Sequence, residues 1–203
     1  MEMCKSNFIF GYGSLVNAKN LQIYLNRSLK ANFDFNLSSL EGYRRCWNIA
    51  MDNQIDLPGY KYYLEKDIGI RPNGFVTFLN IRPSQCESIY GILFRVYDEE
   101  LQLLDERERN YKRIDVTNSI DATLEGRVWT YIGLNEAEQR YLQGVKQQNA
   151  MISRKYFDSV YNSYLSWGEE TLSNYVATTD EPQVPILDLE EHKVDSDSEI
   201  ANR

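Results

Sequence analysis

The stretch "GFVTFLNIRPSQCESIYGILFRVYDEELQLLDERERNY", Gly74 to Tyr111, holds two kinds of pattern side by side. "GFVTFLNI" and "SIYGILFRVY" are dense in β-branched and aromatic residues, as strands are. A polar segment with Pro83 separates them. "DEELQLLDERERNY" then changes period. Asp98 suits an N-cap, acids fill the first turn, and Leu101, Leu103 and Leu104 form the apolar side. Two strands running into one amphipathic helix predict a sheet with helices laid against it.

Outward from there the same mixture continues. Residues 8–13 read as a first strand. "NAKNLQIYLNRSL" reads as a helix capped by Asn17, with Leu21, Leu25 and Leu29 at helical spacing. "FDFNLSSLEGY" and "YRRCWNIAM" read as strands, and residues 52–72, with Pro58, Gly59, Gly69 and Pro72, as an irregular loop. On the C-terminal side "YKRIDVT" and "RVWTYIGL" return to strand. Asn135 with Glu138 resembles a capping pair opening a helix to about Gln148. "SRKYFDSVYNSYLSWGEETLSNYV" reads as a last helical stretch, its Tyr156, Phe157, Val160, Tyr161, Tyr164 and Leu165 spaced as a core-packing face. This order is not a regular βαβ alternation. It predicts an α+β domain: a mixed, mostly antiparallel sheet or small barrel with flanking helices.

The 203 residues suffice for one domain with a real core, and 42% hydrophobic and 13% aromatic residues argue against disorder. The net charge of −8 is concentrated at one end: eight acidic and two basic residues lie from Asp180 onward. We therefore expect a domain over residues 1–179 and an acidic, flexible or only partly docked tail over 180–203. No basic face for nucleic acid is visible in the body, and no apolar run nears the roughly 20 residues of a membrane helix. The N-terminal residues lack the layout of a signal peptide, so the cytoplasm is the expected compartment. Cys4, Cys46 and Cys86 are odd in number and scattered, which suits buried thiols rather than disulfides or a metal knuckle. Neither partner chains nor oligomeric state can be read from the chain.

Near the N-terminus Gly11-Tyr12-Gly13-Ser14-Leu15 follows an apolar run. Three glycine-loop chemistries compete for this spacing. A dinucleotide loop needs glycine where Val16 stands, and a P-loop needs a lysine that is missing. A nucleophile elbow needs glycine where Tyr12 stands, and the one histidine, His192, lies in the tail. Two readings stay open: a plain strand-to-helix turn, or a backbone nest for a carboxylate or oxyanion. The second candidate feature is the acid group Asp105, Glu106 and Glu108 at the end of the predicted helix, where carboxylates oppose the helix dipole. Glu108 lies four residues after Leu104, so on a helix it faces inward while Glu106 points to the other side.

Phe10-Gly11-Tyr12-Gly13-Ser14-Leu15, together with Leu104-Asp105-Glu106-Arg107-Glu108 and Tyr111, resembles the paired motifs of the γ-glutamylcyclotransferase-like superfamily (ChaC-like and AIG2-like proteins). The likeness spans about residues 7–135. It implies that Ile9, Phe10, Gly11, Tyr12, Gly13, Ser14 and Leu15, with Tyr111, hold a γ-glutamyl group, and that Glu108 is the catalytic acid/base. It implies an enzyme that cyclises the γ-glutamyl group of a small peptide or amine, glutathione among the candidates, to 5-oxoproline with release of the amine. The nucleophile of such a reaction belongs to the substrate, so no metal or cofactor is called for. A non-catalytic binding module that keeps the γ-glutamyl pocket is the alternative. Arg109-Asn110 before Tyr111, Val16-Asn17 after the loop, and Leu15 directly after Ser14 depart from the family's branches and leave the substrate open.

Overall fold

The structure, a computed structural model, describes residues 6–122 and 124–195. Strand β1 (Ser6–Gly11) runs through a short 3-10 turn at Ser14–Val16 into helix α1 (Ala18–Leu25). Asn17 caps α1, its side chain accepting from the Lys19 and Asn20 N–H groups at 3.0 and 3.1 Å. The helix stops short of Leu29 because Asn26 takes a left-handed conformation, φ 49°. Two long strands follow, β2 (Phe35–Asp52) and β4 (Phe75–Val96), with the short β3 (Lys61–Glu65) between them. Then come α2 (Asp98–Arg107), β5 (Tyr111–Asp115), β6 (Gly126–Gly133), α3 (Asn135–Gln147), β7 (Ala150–Ser153), α4 (Arg154–Ser166), α5 (Glu169–Ala177), β8 (Ile186–Leu187) and β9 (Leu189–Lys193).

The main sheet has the order β5-β6-β1-β4-β7-β8, with β2 also paired to β4. The β1/β4, β2/β4 and β5/β6 ladders are antiparallel, while β1/β6, β4/β7 and β7/β8 are parallel. This is the expected α+β class with a mixed, mostly antiparallel sheet. The two strands read around Pro83 are one strand bent in its middle. Glu41 pairs with Ser88 and Tyr43 with Pro83, so residues 84–87 loop out opposite Gly42. A bulge is where a sheet tolerates a proline that cannot donate to the ladder. The main core gathers Ile9, Phe10, Leu21, Leu40, Trp47, Leu79, Ile92, Phe94, Leu104 and Tyr164, all buried.

Several local expectations change. Tyr97, not Asp98, is the residue before α2, and its N–H is taken by the Glu100 carboxylate at 2.9 Å. Leu103 is exposed, leaving Leu101 and Leu104 as the packed side. Leu134 precedes α3, and Glu138 accepts from Asn48 at 3.0 Å instead of closing a capping pair with Asn135. The last helical stretch is two helices, broken at Gly168, whose φ of 106° suits glycine. Cys46 is buried, and burial pushes its thiol up to about 12, whereas Cys86 is exposed and Cys4 lies outside the described residues.

The largest change concerns residues 52–72 and the acidic tail. β3 lies inside the expected loop and pairs antiparallel with β9, which lies inside the expected tail, Lys61 opposite Lys193 and Glu65 opposite Leu189. Leu189 is buried with Met51, Tyr63, Val76, Phe78 and Met151 in a second apolar cluster. Packing therefore runs past residue 179 to β9; residues 196–203 lie outside the described residues. Among the described residues no helix is long and apolar enough to cross a membrane.

Candidate active site

The Gly11–Leu15 loop leaves the end of β1 and is fastened from two sides, β6 and α4. The Tyr12 hydroxyl donates to the Tyr131 carbonyl at 2.7 Å, and Thr130 Oγ1 donates to the Phe10 carbonyl at 2.8 Å. From α4, the Tyr164 hydroxyl donates to the Tyr12 carbonyl at 2.7 Å. Behind Tyr164 stands Arg45, fully buried. Its Nε donates to the Tyr164 hydroxyl at 3.1 Å, its Nη1 to Thr178 Oγ1 at 2.7 Å, and its Nη2 to the Tyr90 carbonyl. The guanidinium also lies 4.7 Å from the Tyr164 ring centroid. The N–H groups of Gly13, Ser14 and Leu15 reach no protein acceptor among the described residues.

Glu108 faces this loop. It is the first residue beyond α2, not a residue within it: its N–H still bonds to the Leu104 carbonyl at 2.9 Å, but its ψ of 49° ends the helix. Its carbonyl accepts from Tyr111 N–H at 2.8 Å, closing a tight turn. Asn110 anchors that turn, accepting from Arg140 at 2.8 Å and donating to the Tyr60 hydroxyl at 3.1 Å. The Glu108 side chain is 15% exposed and its carboxylate takes a hydrogen bond from Arg107. Arg107 also donates to Ser14 Oγ at 3.2 Å and lies 3.8 Å from the Tyr24 ring centroid. Asp105 is used elsewhere, accepting from the Tyr131 hydroxyl at 2.8 Å and pairing with Arg113 at 2.9 Å.

Loop and carboxylate share an inner cavity of about 40 Å³. Phe10, Gly11, Tyr12, Gly13, Ser14, Leu15, Glu108 and Tyr111 line it, joined by Leu79, Tyr131 and Tyr156. Ile9 is the exception among the expected residues: it is fully buried in the core and lines neither this cavity nor its neighbour. Four tyrosines surround the space. Burial pushes the hydroxyls of Tyr12, Tyr111, Tyr131 and Tyr156 above the usual tyrosine range, so they stay neutral donors at any working pH. Ser14, Glu108, Tyr111 and Tyr156 line both this inner cavity and an adjoining outer cleft of about 680 Å³, and these four shared residues form the neck. No group of three or more His, Cys, Asp and Glu side chains among the described residues is arranged to hold a metal ion.

Sequence reading missed Leu79, Tyr131 and Tyr156. Tyr156 was assigned to core packing, and it does pack edge-on against Trp47 and Phe78, at 6.0 and 5.3 Å between centroids. Its hydroxyl nevertheless points at Gly13 across the cavity, 3.5 Å from where a Cβ on that glycine would stand. Helical spacing marked the buried face of α4, but nothing local distinguishes a tyrosine that ends in the core from one that ends in a cavity.

A family model described as gamma-glutamyl cyclotransferase, AIG2-like, matches residues 9–150, which contain both motifs. A solved structure named "Gamma-glutamyl cyclotransferase" is similar at 14% identity and a TM-score of 0.52, over 90% of this chain and 94% of its own. The crystal structure of an uncharacterized protein from Homo sapiens is similar at 13% identity and a TM-score of 0.50, again over 90% and 94%. At these identities the two likenesses speak for the fold. No curated protein matches the chain.

Proposed function

The chain belongs to the gamma-glutamyl cyclotransferase, AIG2-like family, and from that premise we propose that it is an enzyme that cyclises the γ-glutamyl group of a small amine or peptide to 5-oxoproline. One observation carries the reading: Glu108 and the Gly13–Leu15 turn, whose N–H groups meet no acceptor among the described residues, line the same small cavity. Cyclisation needs little else. The α-amine of the substrate attacks its own γ-carbonyl carbon, forming the ring C–N bond, and the original amide C–N bond breaks. Ring closure of this kind reaches effective molarities on the order of 10⁵ M or more.

In this reading Glu108 accepts the proton that the attacking α-ammonium loses and returns a proton to the leaving nitrogen. The Gly13, Ser14 and Leu15 N–H groups receive the oxyanion at the γ-carbonyl. Tyr111 and Tyr156 flank the neck, where the scissile amide would sit. Arg107 ties Glu108 to Ser14, which holds base and loop at a fixed separation. That pairing also gives the second reading, a binding module, its one support, because the guanidinium already occupies the carboxylate.

The test is 5-oxoproline release from a panel of γ-glutamyl peptides, glutathione included. Glu108→Gln still accepts from Arg107 but cannot take a proton. It should slow turnover roughly 10²–10⁴-fold with an unchanged circular dichroism spectrum. Glu106→Gln, exposed and outside the inner cavity, should stay within about twofold, as surface changes usually do. Absence of product from the whole panel, with calorimetry still showing tight binding, would leave the binding module. A dead Glu106→Gln beside an active Glu108→Gln would show that the wrong acid was assigned.

A further inference from the structure

The outer cleft carries a charge pattern opposite to that of the chain as a whole. The sequence has 22 basic against 30 acidic residues, yet the cleft gathers Lys61, Arg107, Arg109, Lys155 and Lys193, from four separate segments. Against them stand Glu106, Glu191 and, at the neck, Glu108. Most of the cations have no internal counterion. Leaving Asp195 aside, no carboxylate of the described residues lies within 4.0 Å of the charged nitrogens of Arg109, Lys155 or Lys193. Lys61 lies 4.0 Å from Glu191, at the limit of an ion pair, and its ammonium rests 4.3 Å from the Phe78 ring centroid. Burial lowers its pKa, the sign of an ammonium that has lost water without gaining a close anion.

We propose that this cleft seats the leaving amine and selects γ-glutamyl compounds whose amine part is anionic: an acidic amino acid or short acidic peptide, rather than a neutral or cationic amine. The inference rests on the cyclisation reading above. The two spaces meet at the neck beside Glu108, so a γ-glutamyl group held in the inner cavity directs its amide nitrogen, and whatever that nitrogen carries, into the cleft. A volume of about 680 Å³ falls in the usual range for a small-molecule site, about 300–1,000 Å³, and exceeds what a single methylamine or glycine would fill. With five basic against three acidic side chains the cleft carries a positive surplus, which draws anionic ligands in and speeds their capture. An anionic leaving group would supply the counterions that Arg109, Lys155 and Lys193 lack. A cationic one would meet that positive surplus. A neutral alkylamine would gain nothing from it.

The experiment compares substrates that share the glutamyl group and differ only in the amine: γ-glutamyl-glutamate, γ-glutamyl-propylamide and γ-glutamyl-putrescine. We expect kcat/KM for γ-glutamyl-glutamate to exceed the propylamide value at least tenfold at low salt, the putrescine compound to be slowest, and the ratio to shrink as salt screens the cleft. The double variant Lys155→Gln/Lys193→Gln, changed at two exposed positions, should lower the acid-to-propylamide ratio roughly five- to tenfold, the size of one or two screened charge contacts. Equal efficiency on all three compounds, or a ratio unmoved in the double variant, overturns the proposal while Glu108 catalysis stands. Should no compound turn over, calorimetry with the same three decides. Preference for the acidic compound that weakens in the double variant supports the cleft assignment, and equal binding overturns it.

Discussion

An alanine at position 11 would place its Cβ 2.6 Å from the Cβ of Leu15 and 3.4 Å from its carbonyl carbon. Neither atom is the free end of a side chain, so the turn must move. Overpacking of this kind costs about 1–3 kcal/mol, and the stiffer unfolded chain of alanine offsets about 0.4–1 kcal/mol. The net loss, about 1.3 kcal/mol at the midpoints of these ranges, should lower Tm by about 3–5 °C in a domain of this size. At position 13 the same Cβ meets only the Tyr156 hydroxyl at 3.5 Å, an ordinary contact. That methyl group stands beside Tyr156 in the lining of a cavity of about 40 Å³, where a misplacement near 1 Å costs on the order of 10²-fold in rate. Gly13→Ala should therefore hold Tm within about 2 °C, below the shift that 1 kcal/mol produces, and lose roughly 10–100-fold in kcat/KM, while Gly11→Ala loses in both. Differential scanning calorimetry and the 5-oxoproline assay separate the two. A fully active Gly13→Ala, or one destabilised as much as Gly11→Ala, would refute the division of labour between the glycines.

Tyr164→Phe removes the donor to the Tyr12 carbonyl and the acceptor for Arg45 Nε. Leaving buried polar groups unmet costs about 1–3 kcal/mol, so Tm should fall by about 2–12 °C and turnover should fall as the loop loosens; an unchanged melting curve would remove Arg45 and Tyr164 as supports of the loop. Ending the chain after Pro185 removes β8 and β9 and uncovers the cluster around Tyr63 and Phe78. Burial of Leu189 alone is worth about 1.5–3 kcal/mol, so the truncated protein should melt at least about 3 °C lower and bind more of a hydrophobic dye, and an unaltered Tm would refute the docking of β9.

The two halves of the inner cavity that the sequence exposed are those whose signal is local. Gly11 to Leu15 follow an apolar run directly, and Glu108 follows the last leucines of α2 by four residues. The same local rules misplace Glu108 slightly, because they extend the helix one residue too far and would set Glu106 and Glu108 on opposite sides. The turn at Glu108 instead leaves both acids along the outer cleft while only Glu108 reaches the inner cavity. What was hidden depends on pairing across distance. β3 and β9 lie some 130 residues apart in the chain, each too short and too polar to declare itself without the other. The bend in β4 was hidden for the opposite reason: Pro83 and the polar residues after it look like the end of a strand, and only the register with β2 shows that the ladder resumes.

The charge distribution takes on a different meaning once β9 is docked. Read along the chain, eight acids from Asp180 onward suggest a surplus held away from the body. In the fold, Asp180 pairs with Arg44 at 2.6 Å and Arg82 at 3.3 Å, Asp188 pairs with Arg154 at 3.2 Å, and Glu191 accepts from Tyr63 at 3.0 Å. Partly exposed pairs of this kind contribute about 0–1 kcal/mol each, so they do not hold the segment down. The β3 ladder and buried Leu189 do that. Sequence position thus decides which cations are neutralised. The acids from Asp180 to Glu191 reach Arg44, Arg82 and Arg154 and only approach Lys61, and Arg109, Lys155 and Lys193 keep their charge in the cleft. On the proposed reading of the cleft, the anion that these cations meet is the one that arrives with the substrate and leaves with the product.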